Sequence, residues 1–189
     1  PGASPTTQPD NPASFLGEPQ ARPTPEQLAW QDSEIGMFIH FAPNTYTDQE
    51  YDDLSLPLEK FNPAQLDTDQ WVAAAEGMSA KYIVFVAKHA GGFCMWPTAT
   101  TDYSVKHTPW RGGAGDVLRD LSESCRKRGL KLGVYVSPCD RRHGAEGGGR
   151  CQTPEAQEAY NKLYRQQLTE VLSRYGETFE IWFDGSIVV

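Results

Sequence analysis

Short apolar runs recur along the chain at almost constant intervals, and polar segments separate them. Their starts are 47, 48 and 49 residues apart. Each run is rich in β-branched and aromatic residues, which is typical of a strand that is buried on both faces. The pattern predicts four strands, over residues 35–41, 82–88, 130–137 and 179–185.

Segments with helical periodicity lie between these runs. They cover residues 70–78, residues 117–128 and a longer stretch that begins at Thr153 and Pro154 and stops at Gly176. The apolar stripe predicted for the third helix comprises Tyr160, Leu163, Tyr164, Leu168, Val171, Leu172 and Tyr175. Strands that alternate with helices predict a parallel α/β architecture. The period alone is compatible with a doubly wound open sheet and with a (β/α) barrel.

Composition separates the beginning of the chain from the remainder. Proline occurs seven times in residues 1–25, which predicts an extended tail or linker there and one globular domain over residues 26–189. No apolar run approaches the ~20 residues of a membrane span. The net charge is −8, which makes a nucleic-acid backbone an unfavourable partner. The sequence therefore predicts no membrane and no nucleic-acid partner.

The cysteines give little support for a zinc site, because none of the four forms a CxxC pair. Cys139 and Cys151 flank a glycine-rich loop, so a disulfide between them is a hypothesis for an oxidising compartment. Cys125 lies in an apolar helical pattern, where we expect it to be a small core residue.

Polar side chains gather where the predicted strands end. His40 ends the first strand, Lys88 and His89 end the second, Tyr135 lies late in the third, and Asp184 ends the fourth. The carboxyl edge of a parallel sheet carries the active site in α/β folds. We therefore expect these side chains to share one site, with Asp184 as a nucleophile or base, or as the cap of an Asp-Gly turn.

Other roles for these residues stay open at this point. His40, His89 and Asp184 would be the ligands of a metal-dependent hydrolase. His107 and His143 lie in polar loops, where we expect them to be solvated. Several aromatic residues suit either stacking on sugar rings or core packing, namely Tyr46, Tyr51, Trp96, Tyr103 and Trp110.

Separate motifs follow one another from about residue 26 to the C-terminus. They are residues 30–41, 44–50, 87–96, 101–105, 115–117, 133–138 and the run Ile181-Trp-Phe-Asp-Gly185. In this order they resemble the α-L-fucosidases of glycoside hydrolase family 29. The resemblance implies a TIM-like (β/α)8 barrel of which this chain holds the first four βα units, and a retaining mechanism without metal or cofactor.

The resemblance also implies roles for individual residues. Asp184 falls on the catalytic nucleophile. The positions that line the fucose pocket are His40, Glu50, His89, Tyr135 and Trp182. Many members have His-His-Asp-Gly where this chain has His89-Ala-Gly-Gly92, a version similar to the subgroup that favours α-1,3/1,4-linked fucose. Many also have Trp where this chain has Tyr51, which affects the aromatic wall of the pocket.

The acid/base carboxyl is not assigned by these motifs. In the family it lies downstream of the nucleophile strand, so we expect it outside this chain. Glu50 has the right chemical type but is matched to sugar binding, and Asp140 and Glu146 are loop acids without a match. The expected activity is exo-hydrolysis of α-L-fucosyl linkages in oligosaccharides or glycoconjugates. The alternative is a catalytically incomplete fragment or a fucose-binding pseudoenzyme.

The expected partners follow from the same resemblance. The substrate is a fucosylated glycan, and the compartment is secreted, periplasmic or lysosomal-type. A half-barrel of four strands would leave sheet edges and an apolar inner face open. We therefore expect the isolated chain to be unstable, to self-associate or to pair with the missing half of the barrel.

Overall fold

Four parallel strands form a sheet in the part of the chain that the computed structural model describes, residues 22–185. The strands are β1 (Gly36–Ile39), β2 (Tyr82–Lys88), β3 (Lys131–Val136) and β4 (Ile181–Trp182). They lie in chain order, each beside the strand that follows it. The predicted α/β class is confirmed. The order also differs from that of a doubly wound sheet, in which the winding reverses next to the first strand.

Helices fill the connections between the strands. They are α2 (Asn44–Thr47), α3 (Thr68–Gly77), α4 (Val117–Arg128) and α5 (Pro154–Arg174). The side chains of Asp67, Asp116 and Thr153 each accept a backbone N–H from the first turn of the helix that follows. These bonds satisfy donors that have no partner within the helix. The three long helices predicted from the apolar pattern are thus present.

The sheet has two faces with different surroundings. On one face, Ile83, Phe85 and Val134 form a core with residues of α3, α4 and α5 and are nearly inaccessible to solvent. We call this the helix face. On the other face, Val84 and Tyr135 form a separate small cluster. Side-chain alternation along each strand explains the division, because successive residues point to opposite sides.

The second face is concave. Adjacent strands lie about 4.8 Å apart, so upright side chains on β1 and β4 of a flat sheet would be separated by about 14 Å. The ring centroids of Phe38 in β1 and Trp182 in β4 are only 5.3 Å apart. The Phe38 ring is also 5.9 Å from Tyr135 in β3. We therefore call this side of the sheet the concave face.

A β-bulge at the end of β2 decides which faces Lys88 and His89 enter. The register against β3 shifts at Ala87, so that Ala87 and Lys88 both face the helices. Lys88 is fully buried there. His89 follows on the concave face, where its ring centroid is 4.5 Å from that of His40. The expectation that Lys88 and His89 share one rim is therefore wrong for Lys88.

The apolar stripe predicted for α5 is only partly correct. Leu172 is 45% exposed, whereas the polar residues Gln167 and Glu170 are buried. Gln167 accepts a hydrogen bond from Lys88 Nζ at 2.9 Å, and Glu170 accepts one from Trp96 Nε1 at 2.8 Å. Buried donors on the neighbouring segments thus decide which side of α5 faces inward.

The hypothetical disulfide between Cys139 and Cys151 is absent. All four cysteines lie in residues 22–185 and are free thiols. The Cys139 thiol donates to the Ala145 carbonyl at 3.3 Å, and two short antiparallel bridges hold the backbone of this loop. Cys125 is buried in the core as predicted, and burial raises the pKa of its thiol to about 12.

A separate unit precedes the sheet and ends at Asp32. Its described part contains helix α1 (Pro25–Gln31), which the apolar pattern did not predict. Thr24 and Gln27 form a capping box, in which each side chain accepts the backbone N–H of the other residue. Most of the predicted tail, residues 1–21, lies outside the described residues. None of the helices within residues 22–185 is long and apolar enough to cross a membrane.

Candidate active site

Five aromatic rings form a continuous arc on the concave face. The centroid distances are 5.3 Å from Trp182 to Phe38, 5.9 Å from Phe38 to Tyr135, 5.8 Å from Tyr135 to His89 and 5.6 Å from His89 to Tyr51. We call these rings the aromatic arc. Rings with apolar faces and polar edges suit a ligand that has both, as a sugar does.

The Asp184 carboxylate lies beside the middle of the aromatic arc. The Tyr135 hydroxyl donates to Asp184 Oδ2 at 2.9 Å. Burial of Tyr135, followed by its hydrogen bond to this carboxylate, raises the pKa of the phenol, so that it remains a donor. The Asp184 side chain itself is exposed. One carboxylate oxygen is therefore held by the sheet while the group stays accessible to a ligand.

Two imidazoles share the concave face with this carboxylate, and His40 lies beside His89. Desolvation, followed by the neighbouring His89, lowers the pKa of His40 to about 4, although the His40 side chain keeps an exposed face. Desolvation also lowers the pKa of His89, against an opposing influence of Asp184. Each neutral ring offers one donor and one acceptor. His89 Nδ1 is buried and has no hydrogen-bond partner within residues 22–185.

The loop after α2 carries Glu50 and Tyr51 to the His89 end of the arc. Asn44 Nδ2 donates to the backbone carbonyls of Gln49 and Glu50, both at 3.2 Å. The Tyr51 ring is nearly parallel to His89, with an interplanar angle of 15°. A hydrogen bond with the Glu50 side chain is the main influence that raises the pKa of Tyr51. Tyr51 thus forms the end of the aromatic arc next to His89.

Buried hydrogen bonds of Asp52 hold this loop in place. Its carboxylate is 3% exposed and accepts hydrogen bonds from the Tyr103 hydroxyl and the Leu54 N–H, both at 2.9 Å. A Cβ atom at Gly91 would overlap the Asp52 side chain. The sequence pattern did not indicate Asp52, although the glycine at position 91 was a signal that another group approaches the backbone there.

Arg141 lies at the outer end of the aromatic arc. Its guanidinium carbon is 5.3 Å from the centroid of the Tyr51 ring, and Nη1 donates to the Asp52 carbonyl at 3.3 Å. Its backbone N–H donates to the Ala90 carbonyl at 2.9 Å. The sequence pattern did not indicate Arg141 either, because the glycine-rich loop that carries it resembled a flexible connection.

A buried ion pair on the helix face supports this loop. Lys88 Nζ donates to Asp140 Oδ2 at 3.1 Å, Tyr160 Oη at 3.3 Å and Gln167 Oε1 at 2.9 Å. All three ammonium protons are thus used. Burial alone would raise the pKa of Asp140, but the His143 hydrogen bond and the Lys88 charge lower it below its usual range. Asp140 therefore remains ionised.

Several residues proposed from the sequence do not join the site. Trp96, Tyr103 and Trp110 belong to the core and are at most 5% exposed. Tyr46 packs against Phe61, with centroids 5.2 Å apart. His143 is not simply solvated, because its Nδ1 lies 3.0 Å from Asp140 Oδ1. The concave face does bring together Asp184, His40, His89, Tyr135 and Trp182.

The ligand set of the metal-dependent alternative is not assembled. Within residues 22–185, no three side chains of His, Cys, Asp or Glu converge in a group that could hold a metal ion. His40, His89 and Asp184 thus lie on one face without forming such a group.

Comparisons with known proteins agree with one another. Residues 44–189 match the sequence model of a family described as alpha-L-fucosidase. Alpha-L-fucosidase 1 of Arabidopsis thaliana is 43% identical over 164 residues, which are 87% of this chain and 31% of that protein. The crystal structure of a glycoside hydrolase 29 family member from an unknown rumen bacterium is 48% identical, with a TM-score of 0.79 over 88% of this chain and 28% of the other.

A more distant structure is informative because of its ligand. It is an alpha-L-fucosidase of Bacteroides thetaiotaomicron, trapped as a covalent intermediate with 2-fluoro-fucosyl fluoride. It is 25% identical, with a TM-score of 0.74 over 89% of this chain and 43% of that one. The chain therefore spans between 28% and 43% of the length of these three relatives.

Proposed function

Because this chain belongs to the α-L-fucosidase family, we propose that the protein hydrolyses α-L-fucosyl linkages and that the concave face binds the fucose. One observation carries the proposal. The Asp184 carboxylate is exposed at the end of β4 and is held at 2.9 Å by the Tyr135 hydroxyl, beside two neutral imidazoles. This arrangement suits a nucleophile at a sugar.

The chemistry is that of a retaining glycosidase. An oxygen of Asp184 attacks the anomeric carbon, the bond to the leaving oxygen breaks, and that oxygen is protonated by a general acid. Water then attacks the fucosyl–Asp184 ester and releases the carboxylate. The trapped covalent intermediate of the Bacteroides thetaiotaomicron relative supports this two-step route.

The general acid needs a pKa above the usual carboxyl range. Asp140 does not meet this requirement, because its pKa is lowered and it is paired with Lys88 at 3.1 Å. Glu50 lies on the Tyr51 loop and suits binding of the sugar. We assign the acid/base role to none of the residues between 22 and 185.

The remaining side chains bind the sugar ring. His40 and His89 are neutral at pH 7 and so can both donate to and accept from hydroxyl groups. The Nδ1 of His89 has no partner within residues 22–185, and a sugar hydroxyl would supply one. Trp182, 45% exposed, gives the opposite end of the pocket an apolar surface.

Two finer proposals concern architecture and linkage. The sequential strand order and the concave curvature support four βα units of a (β/α)8 barrel. The His89-Ala-Gly-Gly92 motif supports a preference for α-1,3/1,4-linked fucose. Comparing hydrolysis rates of these fucosides with those of α-1,2- and α-1,6-linked ones tests the preference. A secreted, periplasmic or lysosomal-type compartment stays a prediction.

Covalent labelling tests the nucleophile. The full-length protein is incubated with 2-fluoro-fucosyl fluoride and then analysed by peptide mass spectrometry. We expect one fucosyl label on Asp184. In Asp184→Asn the label should be absent, and turnover of an aryl α-L-fucoside should fall by about 10³-fold or more, as when other catalytic nucleophiles are removed.

Four outcomes would contradict this assignment. The first is a label on another residue, and the second is release of fucose with inverted anomeric configuration, which proton NMR detects. The third is binding of fucose by calorimetry without any hydrolysis, and it would favour the fucose-binding alternative. Full turnover by Asp184→Asn would remove Asp184 from the mechanism.

A further inference from the structure

Arg141 combines a fixed backbone with an open guanidinium. Its N–H is bound to the Ala90 carbonyl, directly after His89, at 2.9 Å. A guanidinium has five N–H donors, and within residues 22–185 the side chain uses one of them, toward the Asp52 carbonyl at 3.3 Å. The residue is exposed beside the aromatic arc. It therefore presents unused donors at the mouth of the proposed fucose pocket.

The neighbouring arginine provides an internal contrast. Arg142 pairs with Asp102 at 3.1 Å and lies over the Tyr103 ring, away from the arc. Among residues 22–185, Arg141 belongs to no ion pair within 4.0 Å. The loop thus carries two adjacent arginines. Arg142 is paired with the Asp102 carboxylate, whereas Arg141 lies beside the aromatic arc.

We propose that Arg141, with the exposed ring of Tyr51, binds the leaving group of the substrate and makes the protein selective for fucosides whose leaving group is itself a sugar. The inference rests on the proposed function. An exo-glycosidase encloses the terminal sugar, and the rest of the substrate projects from the pocket. An exposed guanidinium and an aromatic ring at the mouth are placed to meet that projecting part.

The charges around Arg141 favour hydroxyl groups over an anionic ligand. Two carboxylates, Glu50 and Asp53, flank Tyr51 in the loop that Arg141 contacts. An anionic leaving group would gain from the guanidinium but would be repelled by these carboxylates. Sugar hydroxyls accept hydrogen bonds from Arg without that cost. A neutral oligosaccharide is therefore the leaving group that fits.

The loop is held in place before any ligand arrives. Asp140, the residue before Arg141, is fully buried, pairs with Lys88 at 3.1 Å and accepts the His143 N–H at 3.2 Å. These bonds fix the turn over residues 141–143. The backbone of Arg141 is therefore ordered before a ligand binds, so that only the side chain loses conformational freedom on binding.

The test compares two substrates in four proteins. The kcat/KM of the full-length protein is measured for a fucosylated oligosaccharide and for an aryl α-L-fucoside, whose leaving group has no hydroxyls. The variants are Arg141→Leu, Arg141→Lys and, as the matched control, Arg142→Leu. For Arg141→Leu we expect kcat/KM for the oligosaccharide to fall at least about 10-fold more than for the aryl fucoside.

The other variants sharpen the result. Arg141→Lys should restore only part of the selectivity, because an ammonium lacks the planar fork of a guanidinium. Arg142→Leu should leave the ratio of the two substrates unchanged. If Arg141→Leu lowers kcat/KM equally for both substrates, the role of Arg141 is merely structural and the inference is overturned. A variant that changes kcat/KM for neither substrate would overturn it as well.

A binding measurement separates this inference from the proposed function. Titration of the unfucosylated oligosaccharide alone, followed by ligand-observed NMR, should show binding that Arg141→Leu weakens and Arg142→Leu does not. If the wild type hydrolyses neither fucoside, the proposed function fails while this titration still tests the role of Arg141. Equal binding by wild type and Arg141→Leu would overturn that role.

Discussion

The two residues at the end of β2 show how differently the two faces of the sheet use polar groups. Lys88 enters the helix face, where its three ammonium protons all have acceptors. His89 enters the concave face, where its Nδ1 has no partner within residues 22–185. Adjacent residues thus have opposite fates, because successive side chains point to opposite faces and the bulge at Ala87 decides which face each one enters.

This difference teaches how to recognise the site. A buried polar group that is fully paired is compatible with the fold, and removing its partner destabilises the protein because a charge is left without compensation. A partly buried polar group that lacks a partner can bind a ligand at little cost to the fold. Asn44, on the helix that precedes the Glu50 loop, also has a buried atom, Oδ1, without a partner among the residues that the structure describes. Stability and ligand binding should therefore respond separately to substitutions on the two faces.

Lys88→Met should give the largest effect on stability. It leaves the Asp140 carboxylate buried without its cation, and we expect a loss of about 3–5 kcal/mol in the free energy of unfolding. Urea titration measures it. The double variant with Asp140→Leu should lose less than the sum of the two single variants. His89→Gln, at the neighbouring position on the concave face, should lower the free energy of unfolding by less than about 1 kcal/mol. A loss equal to that of Lys88→Met would contradict the difference between the two faces.

Gly91→Ala should have an intermediate effect. A methyl group there overlaps the Asp52 side chain, so the Tyr51 loop must shift, at a cost of about 1–3 kcal/mol in the free energy of unfolding. Gly77→Ala is the matched control, because nothing lies within 4 Å of its Cβ position in α3. It should be neutral or slightly stabilising. Equal urea midpoints for the two variants would remove Asp52 as the support of this loop.

The pH dependence of stability should be smaller and should separate the two faces. The pKa of His40 is lowered from 6.5 to about 4. Between these values the unfolded chain binds a proton that the folded protein does not, so stability falls as the pH falls through this range. The urea midpoint at about pH 7 and about pH 5 should differ less in His40→Gln than in the wild type.

The helix face should respond at lower pH. The pKa of Asp140 is lowered below its ordinary value of 3.8. A depressed carboxyl pKa stabilises the fold above the ordinary value, and this contribution is lost only as the pH falls through the folded pKa. An Asp140→Asn variant should therefore keep the slope that His40 produces between pH 6.5 and about 4. If Asp140→Asn abolished that slope, the slope would come from Asp140 on the helix face and not from His40 on the concave face.

Leu172→Gln should have the smallest effect. Leu172 belongs to the apolar stripe predicted for α5, but it is 45% exposed. We expect a change within about 0.5 kcal/mol in the free energy of unfolding. The neighbouring Val171→Ala removes fully buried methyl groups and should cost about 2 kcal/mol. If urea titrations gave the same loss in the free energy of unfolding for Leu172→Gln and Val171→Ala, α5 would pack on the core in a different orientation.

The positions of the strands and long helices could be predicted because their signals are local. A short apolar run acts over one strand, helical periodicity acts over a few turns, and Thr153 with Pro154 marks the start of α5. The convergence of His40, His89, Tyr135 and Asp184 followed from one rule about parallel sheets. Each of these predictions needed only the spacing of residues along the chain.

The parts that could not be predicted depend on contacts between distant segments. Gln167 is buried because Lys88, 79 positions earlier, needs an acceptor. Arg141 reaches the site because Asp140 is paired with Lys88 across 52 positions. The bulge at Ala87 has no signal in the composition of β2. Spacing within one segment contains no information about such pairs.

The sequence by itself determined the α/β class, the order of strands and helices and the family to which the chain belongs. These properties follow from periodicity, capping and short motifs, which are all read over a few neighbouring residues. Only the tertiary structure decided that Lys88 supports the loop while His89 lines the site, and that Arg141 and Asp52 border it. The physical reason is that a polar side chain is buried where a partner compensates its desolvation, and the partner is chosen by the fold.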